Sequence, residues 1–279
     1  MKNICVIGSL NMDLVVNVDT MPKPGQTLLG GNFKEVPGGK GANQAVAIAR
    51  LDGRVSMIGK VGNDSFGKTL VKSLNDDNVN TDYIHEADCP TGVAFITVDK
   101  NIDCIKNSDI VVIQLETPLE TVKYALQVAK NLNKYTILNP APAVKLDDEI
   151  IKNVDLLTPN ETELEILSEM KIENEDDISK ATNKMIEKGV KELIVTLGSK
   201  GSLYINKEKS FFKSAYKVDA IDTTAAGDSF TGALAVALSN NKSIDEAMDF
   251  ASKVGALSVM KEGAQSSLPT LKDVESFIV

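Results

Sequence analysis

Short apolar runs alternate with stretches of helical periodicity along most of the chain. The apolar runs predict buried strands at Asn3–Ile7, 55–58, Ile110–Gln114, 136–138, Leu156–Leu157 and 193–196. The periodic stretches predict helices at 41–51, 66–75, 119–133, Glu161–Ser168, 176–188, 227–238 and 244–261. Strands that alternate with helices indicate an α/β fold, a doubly wound and mainly parallel sheet with helices on both faces. The nearly continuous apolar character of the strands fits burial on both sides.

Three strand-like segments depart from this alternation. Segments 13–18 and 26–34 are separated by a turn that contains Pro22, Pro24 and Gly25, and segment 91–98 has no helix after it. They predict a small β-sheet that projects from the main one. We therefore expect a single domain over residues 1–279, with lid segments at about 12–36 and 90–99 inserted in it.

Composition and charge exclude several classes of function. The net charge of −9 argues against a nucleic-acid partner, which requires a basic face. No apolar run reaches the length of a membrane span, and the first strand leaves no room for a signal peptide, so we expect a cytoplasmic protein with no membrane partner. The three cysteines lack metal-ligand spacing, and His85 is the only histidine. A histidine-based triad or a multi-histidine metal site is therefore excluded.

The most informative segment is the turn at 220–230, which leads directly into an apolar helix. Ala225, Ala226 and Gly227 carry little or no side chain, so a ligand could approach the backbone closely. The N–H groups at the helix start form an anion site, and Asp228 lies beside them. Transfer of a phosphoryl group to an alcohol requires this combination of an anion site and a base. A helix cap with a tight turn would explain the same residues.

A glycine-rich stretch at 36–47 supports the phosphoryl-transfer interpretation. Lys40 lies among Gly38, Gly39 and Gly41, and Asn43 follows one helical turn later, where both side chains can face one ligand. Together the two segments resemble the ribokinase-like family of sugar kinases. Four more segments follow in that family's order: Gly-Ser-Leu-Asn-Met-Asp at 8–13, Asn-Pro-Ala-Pro-Ala at 139–143, Thr-Pro-Asn-Glu at 158–161 and Thr-Leu-Gly at 196–198.

The resemblance implies ATP-dependent phosphorylation of ribose on its 5-hydroxyl, with Asp228 as the catalytic base. It implies sugar contacts from Asn11, Asp13, Gly39, Lys40, Asn43, Glu116 and Asp228. It implies ATP contacts from Asn160, Thr196, Gly198, Gly201, Ala226, Gly227 and Asp228. It implies Mg²⁺ held through water by Glu163, and K⁺ held by Asp222, Thr224, Ser258, Lys261, Gly263 and Ser267. It also implies a homodimer formed through the lid.

Other interpretations stay open at this point. Deoxyribose and fructose are alternative acceptors within the family, and a sugar- or nucleotide-binding protein without catalysis is an alternative of another class. Family members also carry a second lid strand, a loop and a helix before the strand that precedes Glu116. Here about two dozen residues are missing near 99–102, far beyond ordinary variation in loop length. Either the lid is truncated, or a segment is omitted from the sequence.

The segment at 62–69 matches the P-loop pattern G-x-x-x-x-G-K-T and lies between a predicted strand and a predicted helix. Asp64 argues against a P-loop, because its carboxylate would oppose the charge of a phosphate. We interpret Asp64 as the N-cap of the following helix, and we expect Lys68 to have no role in phosphate binding.

Overall fold

The computed structural model describes residues 1–18, 20–92 and 102–277. Its strands are β1 Asn3–Ile7, β2 Asn11–Val16, β3 Phe33–Gly38, β4 Arg54–Gly62, β5 Asn80–Ala87, β6 Ile110–Gln114, β7 Tyr135–Asn139, β8 Leu156–Leu157, β9 Glu192–Thr196, β10 Gly201–Asn206 and β11 Ser210–Ser214. Its helices are α1 Lys40–Arg50, α2 Ser65–Asp76, α3 Ile102–Lys106, α4 Leu119–Asn131, α5 Asp148–Ile151, α6 Glu161–Ser168, α7 Glu175–Glu187, α8 Ala226–Ser239, α9 Ile244–Ser258 and α10 Leu271–Ser276.

Nine strands form one sheet in the order β11-β10-β9-β8-β7-β6-β1-β4-β5. All neighbours from β9 to β5 pair in parallel, and β10 and β11 continue the β9 edge in antiparallel fashion. The chain extends the sheet from β1 toward β5 and then returns to the other side of β1 with β6. This reversal makes the β1–β6 boundary a topological switch point, where ligands bind beyond the carboxyl ends of the strands.

The sheet separates two apolar cores. Along β1, Ile4 and Val6 pack into the core formed with α1, α2, α8 and α9. Cys5 and Ile7 face the opposite core, which contains residues of α3 to α7. This period-two alternation, apolar on both faces, explains why the central strands are almost entirely hydrophobic. The predicted fold class is confirmed.

The strand β2 pairs antiparallel with β3 in a separate two-stranded sheet, as expected for part of a lid. Its boundaries differ from the prediction: β2 begins at Asn11, and β3 covers Phe33–Gly38, so residues 26–32 precede it. Both strands are largely exposed, and no buried face fixed their limits in the sequence pattern. The predicted strand at 91–98 falls mostly outside the described residues, apart from Thr91 and Gly92 in a turn.

Strands β5, β10 and β11 were not predicted from the sequence. β5 and β11 are the two edge strands of the sheet, and β10 lies next to β11. In all three, partial exposure mixes polar residues into the strand pattern. His85 lies within β5. Within the described ranges, no helix combines the length and the apolar character needed to cross a bilayer.

Candidate active site

The site begins where the backbones of the β1–β2 connection and the α1 start touch. A Cβ atom on Gly41 would lie 2.7 Å from the Cα of Gly8, so neither position has room for a side chain. Two groups from this junction donate to the same carboxylate oxygen of Glu116: the Ser9 hydroxyl at 2.5 Å and the Lys40 backbone N–H at 2.8 Å. Glu116, just beyond β6, therefore ties the two strands at the switch point to α1.

The predicted sugar contacts lie together around this junction. Asn11 pairs with Gly38 across the β2–β3 ladder, and Gly39 approaches the Asn11 backbone closely, with a positive φ of 92°. The Asp13 carboxylate lies over Gly38. Desolvation, and then the negative charge of Glu116, raise the pKa of Asp13. Two neighbouring carboxylates suit the recognition of hydroxyl groups, because both can accept their hydrogen bonds.

Asp228 lies in the first turn of α8 and is only 5% exposed. Asn43 donates to its Oδ2 at 2.9 Å, and Gln44 donates to its Oδ1 at 3.0 Å. Burial raises the pKa of Asp228, while the positive charge of Lys40 and these two hydrogen bonds act in the opposite direction. The Oδ1 atom of Asn43 is buried and has no hydrogen-bond partner among the described residues, so it can accept a hydrogen bond from a ligand.

The turn before α8 is shaped by a non-glycine residue in a left-handed conformation. Ala225, at the N-cap, has a φ of 58°, a conformation that costs a residue with a Cβ roughly 1–2 kcal/mol. The Ala226 N–H donates to the Thr223 carbonyl at 3.2 Å, so it is engaged within the turn. The Gly227 and Asp228 N–H groups belong to the first helical turn and have no intrahelical acceptor. A Cβ on Gly227 would meet no other described atom within 4 Å, so the space beside this residue is open.

Two cavities adjoin this turn. A polar cavity of about 180 Å³ is lined by Lys40, Glu163 and Asp228, among others. A larger cavity of about 630 Å³ has a mostly apolar lining that includes Val218, Ala256 and Val259. Both cavities are lined by Asn160, Thr196, Thr223, Ala226 and Gly227. They therefore adjoin along the turn, with Asp228 lining the small one and the apolar surface lining the large one.

The other predicted ATP and Mg²⁺ residues line these cavities. Gly198 and Gly201 lie on the wall of the larger one. Asn160 caps α6 through a hydrogen bond from the Glu163 N–H at 2.8 Å, and the Glu163 carboxylate accepts the Asn160 N–H at 2.9 Å. Burial raises the pKa of Glu163, as does the nearby charge of Asp228, whereas Lys40 and the Asn160 N–H lower it.

The predicted K⁺ residues are only partly brought together. The Asp222 carboxylate accepts the Thr224 N–H at 2.9 Å and the Gly263 N–H at 2.8 Å. It therefore joins two loops, the one that precedes α8 and the one that contains Gly263. The hydrogen bonds from Thr224 and Gly263 lower the pKa of Asp222. Ser258 is buried against Ser229, with 3.0 Å between the hydroxyl oxygens. The Ser267 hydroxyl donates within its own turn to Ala264, and Lys261 is exposed.

Several residues of the site were not predicted from the sequence as functional. They are Ser9, Gln44, Gln114, Asn139 and Thr223. Gln114 ends an otherwise apolar strand, and Gln44 lies within a helical segment that is buried from Gly41 to Ile48. The sequence signal for these residues was a polar residue within an apolar run. Such a residue indicates a buried polar contact, because buried polar groups require hydrogen-bond partners.

The P-loop-like segment forms no phosphate cradle. Asp64 caps α2, as predicted, by accepting the Gly67 N–H at 2.8 Å. It also accepts the N–H and the hydroxyl of Thr91, at 2.7 and 2.6 Å. The carboxylate therefore occupies one backbone N–H of this segment, and its negative charge would repel a phosphate there.

Comparison with known proteins places this geometry in context. Residues 1–111 and 102–271 match the pfkB family carbohydrate kinase model. The chain is 41% identical to ribokinase of Haemophilus influenzae, covering 99% of this chain and 98% of that protein. It is 36% identical to deoxyribokinase of Salmonella typhi, with coverage of 99% and 98%. A structure of Arabidopsis thaliana ribokinase complexed with ribose and ATP superimposes with a TM-score of 0.92 at 32% identity, covering 98% of this chain and 97% of that one.

Proposed function

This chain belongs to the pfkB family of carbohydrate kinases, and we propose that it transfers the γ-phosphoryl group of ATP to the 5-hydroxyl of ribose. Its similarity to ribokinases over nearly the full length makes it a sugar kinase. One observation carries the assignment of the chemistry. Asp228 is buried, and its carboxylate accepts hydrogen bonds from two side-chain amides. It also lines the small cavity that adjoins the apolar one.

On the acceptor side, we assign the sugar hydroxyls to the group around Glu116. Their contacts come from Asn11, Asp13, Gly39, Lys40, Asn43 and Glu116. The closeness of Asp13 to Glu116 supports this assignment, since an array of acidic oxygens binds neutral polyols and repels anionic sugar phosphates. The unpartnered Oδ1 of Asn43 supports it further.

In the chemical step, Asp228 takes the proton of the 5-hydroxyl as that oxygen attacks the γ-phosphorus, and the bond from this phosphorus to the bridging oxygen breaks so that ADP leaves. Charge that develops on the transferring group is stabilised by the Gly227 and Asp228 N–H groups and by the Lys40 ammonium. The apolar cavity holds the adenine base, and Asn160, Thr196, Gly198, Gly201 and Ala226 contact the rest of ATP. The open space at Gly227 supports close approach of the phosphates to the backbone.

We assign Mg²⁺ to Glu163, acting through water, with ATP supplying direct ligands. Within the described residues, no group of three or more His, Cys, Asp or Glu side chains is arranged to hold a metal ion. A single carboxylate that acts through water, together with oxygens of ATP, fits Mg²⁺, which keeps several waters and uses few protein ligands. When bound, Mg²⁺ would neutralise charge on the phosphates of ATP.

We assign K⁺ to the loops that Asp222 joins, with Thr224, Ser258, Lys261, Gly263 and Ser267 as further donors. The hydrogen bonds from Thr224 and Gly263 to Asp222 support a site between these loops, and the other three positions, Ser258, Lys261 and Ser267, rest on the sequence. A bound monovalent cation would supply a fixed positive charge close to the turn that holds Ala225.

We also propose that the protein forms a homodimer through its lid. On the β2–β3 sheet, Val16 pairs with Phe33, and they are 49% and 59% exposed, with Leu14 also exposed at 56%. Exposed apolar clusters of this kind mark interaction surfaces. Light scattering of a Phe33→Asp variant tests this, since loss of the dimer is expected. A cytoplasmic location stays a prediction.

The single-domain organisation and the shortened lid are likewise proposals. The family match splits into two pieces that overlap at 102–111, and the alignment with Haemophilus influenzae ribokinase spans 301 positions against 279 residues here. Both facts support missing residues beside position 102. Sequencing of the gene across 99–102 decides between a true deletion and an omitted segment.

A coupled kinase assay across ribose, deoxyribose and fructose tests the function. We expect the highest kcat/KM with ribose. Deoxyribose is the second candidate, because a deoxyribokinase is among the similar proteins. ATP turnover that does not respond to any of the three sugars would reject sugar phosphorylation and favour a binding protein.

A further inference from the structure

A chain of buried amide groups lies behind the proposed base. The Gln114 Nε2 donates to the Gln44 Oε1 at 2.6 Å, and the Gln44 Nε2 donates to the Asp228 Oδ1 at 3.0 Å. The same Nε2 donates to the Asn139 Oδ1 at 3.2 Å. Gln44 and Gln114 are completely buried. Gln114 lies on β6 and Gln44 lies on α1. The hydrogen-bonded amides therefore connect the sheet, through α1, to Asp228 on α8.

The chemistry of the partners allows only one orientation of these amides. An ionised carboxylate can only accept, so the nitrogen of Gln44 must face Asp228. The Gln44 oxygen then faces Gln114, which must present its own nitrogen. As a result, within the part of the chain that the structure describes, the Gln114 Oε1 is buried without a hydrogen-bond partner. A single unsatisfied buried oxygen costs stability, and here that cost accompanies an arrangement in which the Gln114 nitrogen faces Gln44 and the Gln44 nitrogen faces the base.

We propose that Gln44 is a positioning residue for the general base, locked in its orientation by Gln114. Because Asn43 donates to one oxygen of Asp228 and Gln44 donates to the other, the plane of the carboxylate is fixed. Each oxygen retains lone pairs, and those that face the small cavity accept the proton of the sugar hydroxyl. This inference rests on the proposed role of Asp228.

The amides also differ from the charged groups around Asp228. Lys40 favours the ionised carboxylate, whereas burial and the negative charge of Glu116 oppose it. Glu163, across the small cavity, adds a further negative charge. Gln44 stabilises the ionised form without carrying a charge or a transferable proton. Its loss should therefore raise the pH below which the enzyme loses activity.

The test is a Gln44→Met variant, which keeps the length and volume of the side chain and removes the donors. We expect kcat to fall by ~10- to 100-fold, the range for one hydrogen bond to a charged group. The KM values of ribose and ATP should change little, and the acid side of the kcat profile should move to higher pH. Gln114→Met should also lower kcat, but by a smaller factor. It removes only the hydrogen bond that fixes the orientation of the Gln44 amide.

Two controls separate positioning from packing. Ser239→Ala removes a fully buried hydroxyl at the other end of α8, where it donates to the Val236 carbonyl, and it should leave the pH profile unchanged. In an Asp228→Asn background, Gln44→Met should cause little further loss of kcat, because residues that act through one another are not additive.

The outcomes distinguish this inference from the proposed function. An unchanged pH profile in Gln44→Met, or an equal loss of kcat with and without Asp228, overturns the positioning role. If Gln44→Met does not fold, Gln114→Met carries the same test. A wild-type protein that does not phosphorylate sugars, or an Asp228→Asn variant with normal turnover, would instead reject the proposed function itself.

Discussion

Replacement of Asp228 by asparagine exchanges one acceptor oxygen for an NH₂ group at almost constant shape. The variant can no longer take the proton of the attacking hydroxyl. Loss of a general base lowers kcat by ~10²–10⁴-fold, which corresponds to about 2.7–5.5 kcal/mol in the activation barrier. Since Gly227 and the rest of the cavity lining are untouched, nucleotide binding should persist.

The same change has a calculable effect on stability. Both oxygens of Asp228 accept amide N–H groups, so the new NH₂ must face the donor of either Asn43 or Gln44. One buried donor without an acceptor costs about 1–3 kcal/mol. Against this, the variant no longer buries a charge. Burial raises the pKa of Asp228 above that of the unfolded chain, so the wild-type protein loses stability as pH rises from the unfolded pKa through the folded one.

We therefore expect Asp228→Asn to depend less on pH in thermal unfolding over this window than the wild type does. A matched control is Asp176→Asn, because Asp176 also lies in the first turn of a helix, α7, but is exposed. ADP release at saturating ribose and ATP gives kcat, and calorimetric titration with ADP checks binding. An Asp228→Asn variant that turns over at nearly the wild-type rate would refute the role of Asp228 as the base.

Three further predictions follow from other parts of the site. Lys68→Ala should leave ATP turnover nearly unchanged, because Asp64 fills the P-loop-like turn; a hundredfold loss of kcat would restore that turn as a phosphate site. Asp13→Ala should raise the KM of ribose about tenfold or more, since a hydrogen bond to a charged group contributes ~1.5–3 kcal/mol; an unchanged KM would remove Asp13 from the sugar site. K⁺ should raise turnover relative to tetramethylammonium at constant ionic strength, and Asp222→Ala should abolish that difference; equal rates in both salts for the wild type would exclude a K⁺ requirement.

The local signals in the sequence were sufficient for the central parallel strands and for the longer helices, but not for the short helices α3, α5 and α10. Asp64 and Asn160 mark helix starts through their own side chains, and buried parallel strands carry apolar runs that are easily recognised. Edge strands such as β5 and β11 lack that signature, because one side of each meets solvent or lacks a partner strand.

The candidate site was predicted from motifs as far as the residues that would touch a ligand. The supporting contacts were not. Gln44 and Gln114 are 70 positions apart, and Gln44 and Asp228 are 184 positions apart. No local pattern states which buried amide meets which carboxylate, because that depends on how α1 packs against both the sheet and α8. The same holds for Ser9, whose hydroxyl meets Glu116 only because β1 and β6 are neighbours in the sheet.

The contact between Gly8 and Gly41 also bears on how this enzyme can be engineered. Because a Cβ on either glycine would come within 2.7 Å of the backbone of the other, any side chain at these positions would push α1 away from the β1 end, and with it both Asn43 and Gln44. Libraries aimed at new acceptors should therefore keep both glycines fixed. Variation belongs on β2, at Asn11 and Asp13, where the strand is partly solvent-facing and a new side chain can be accommodated without moving the base.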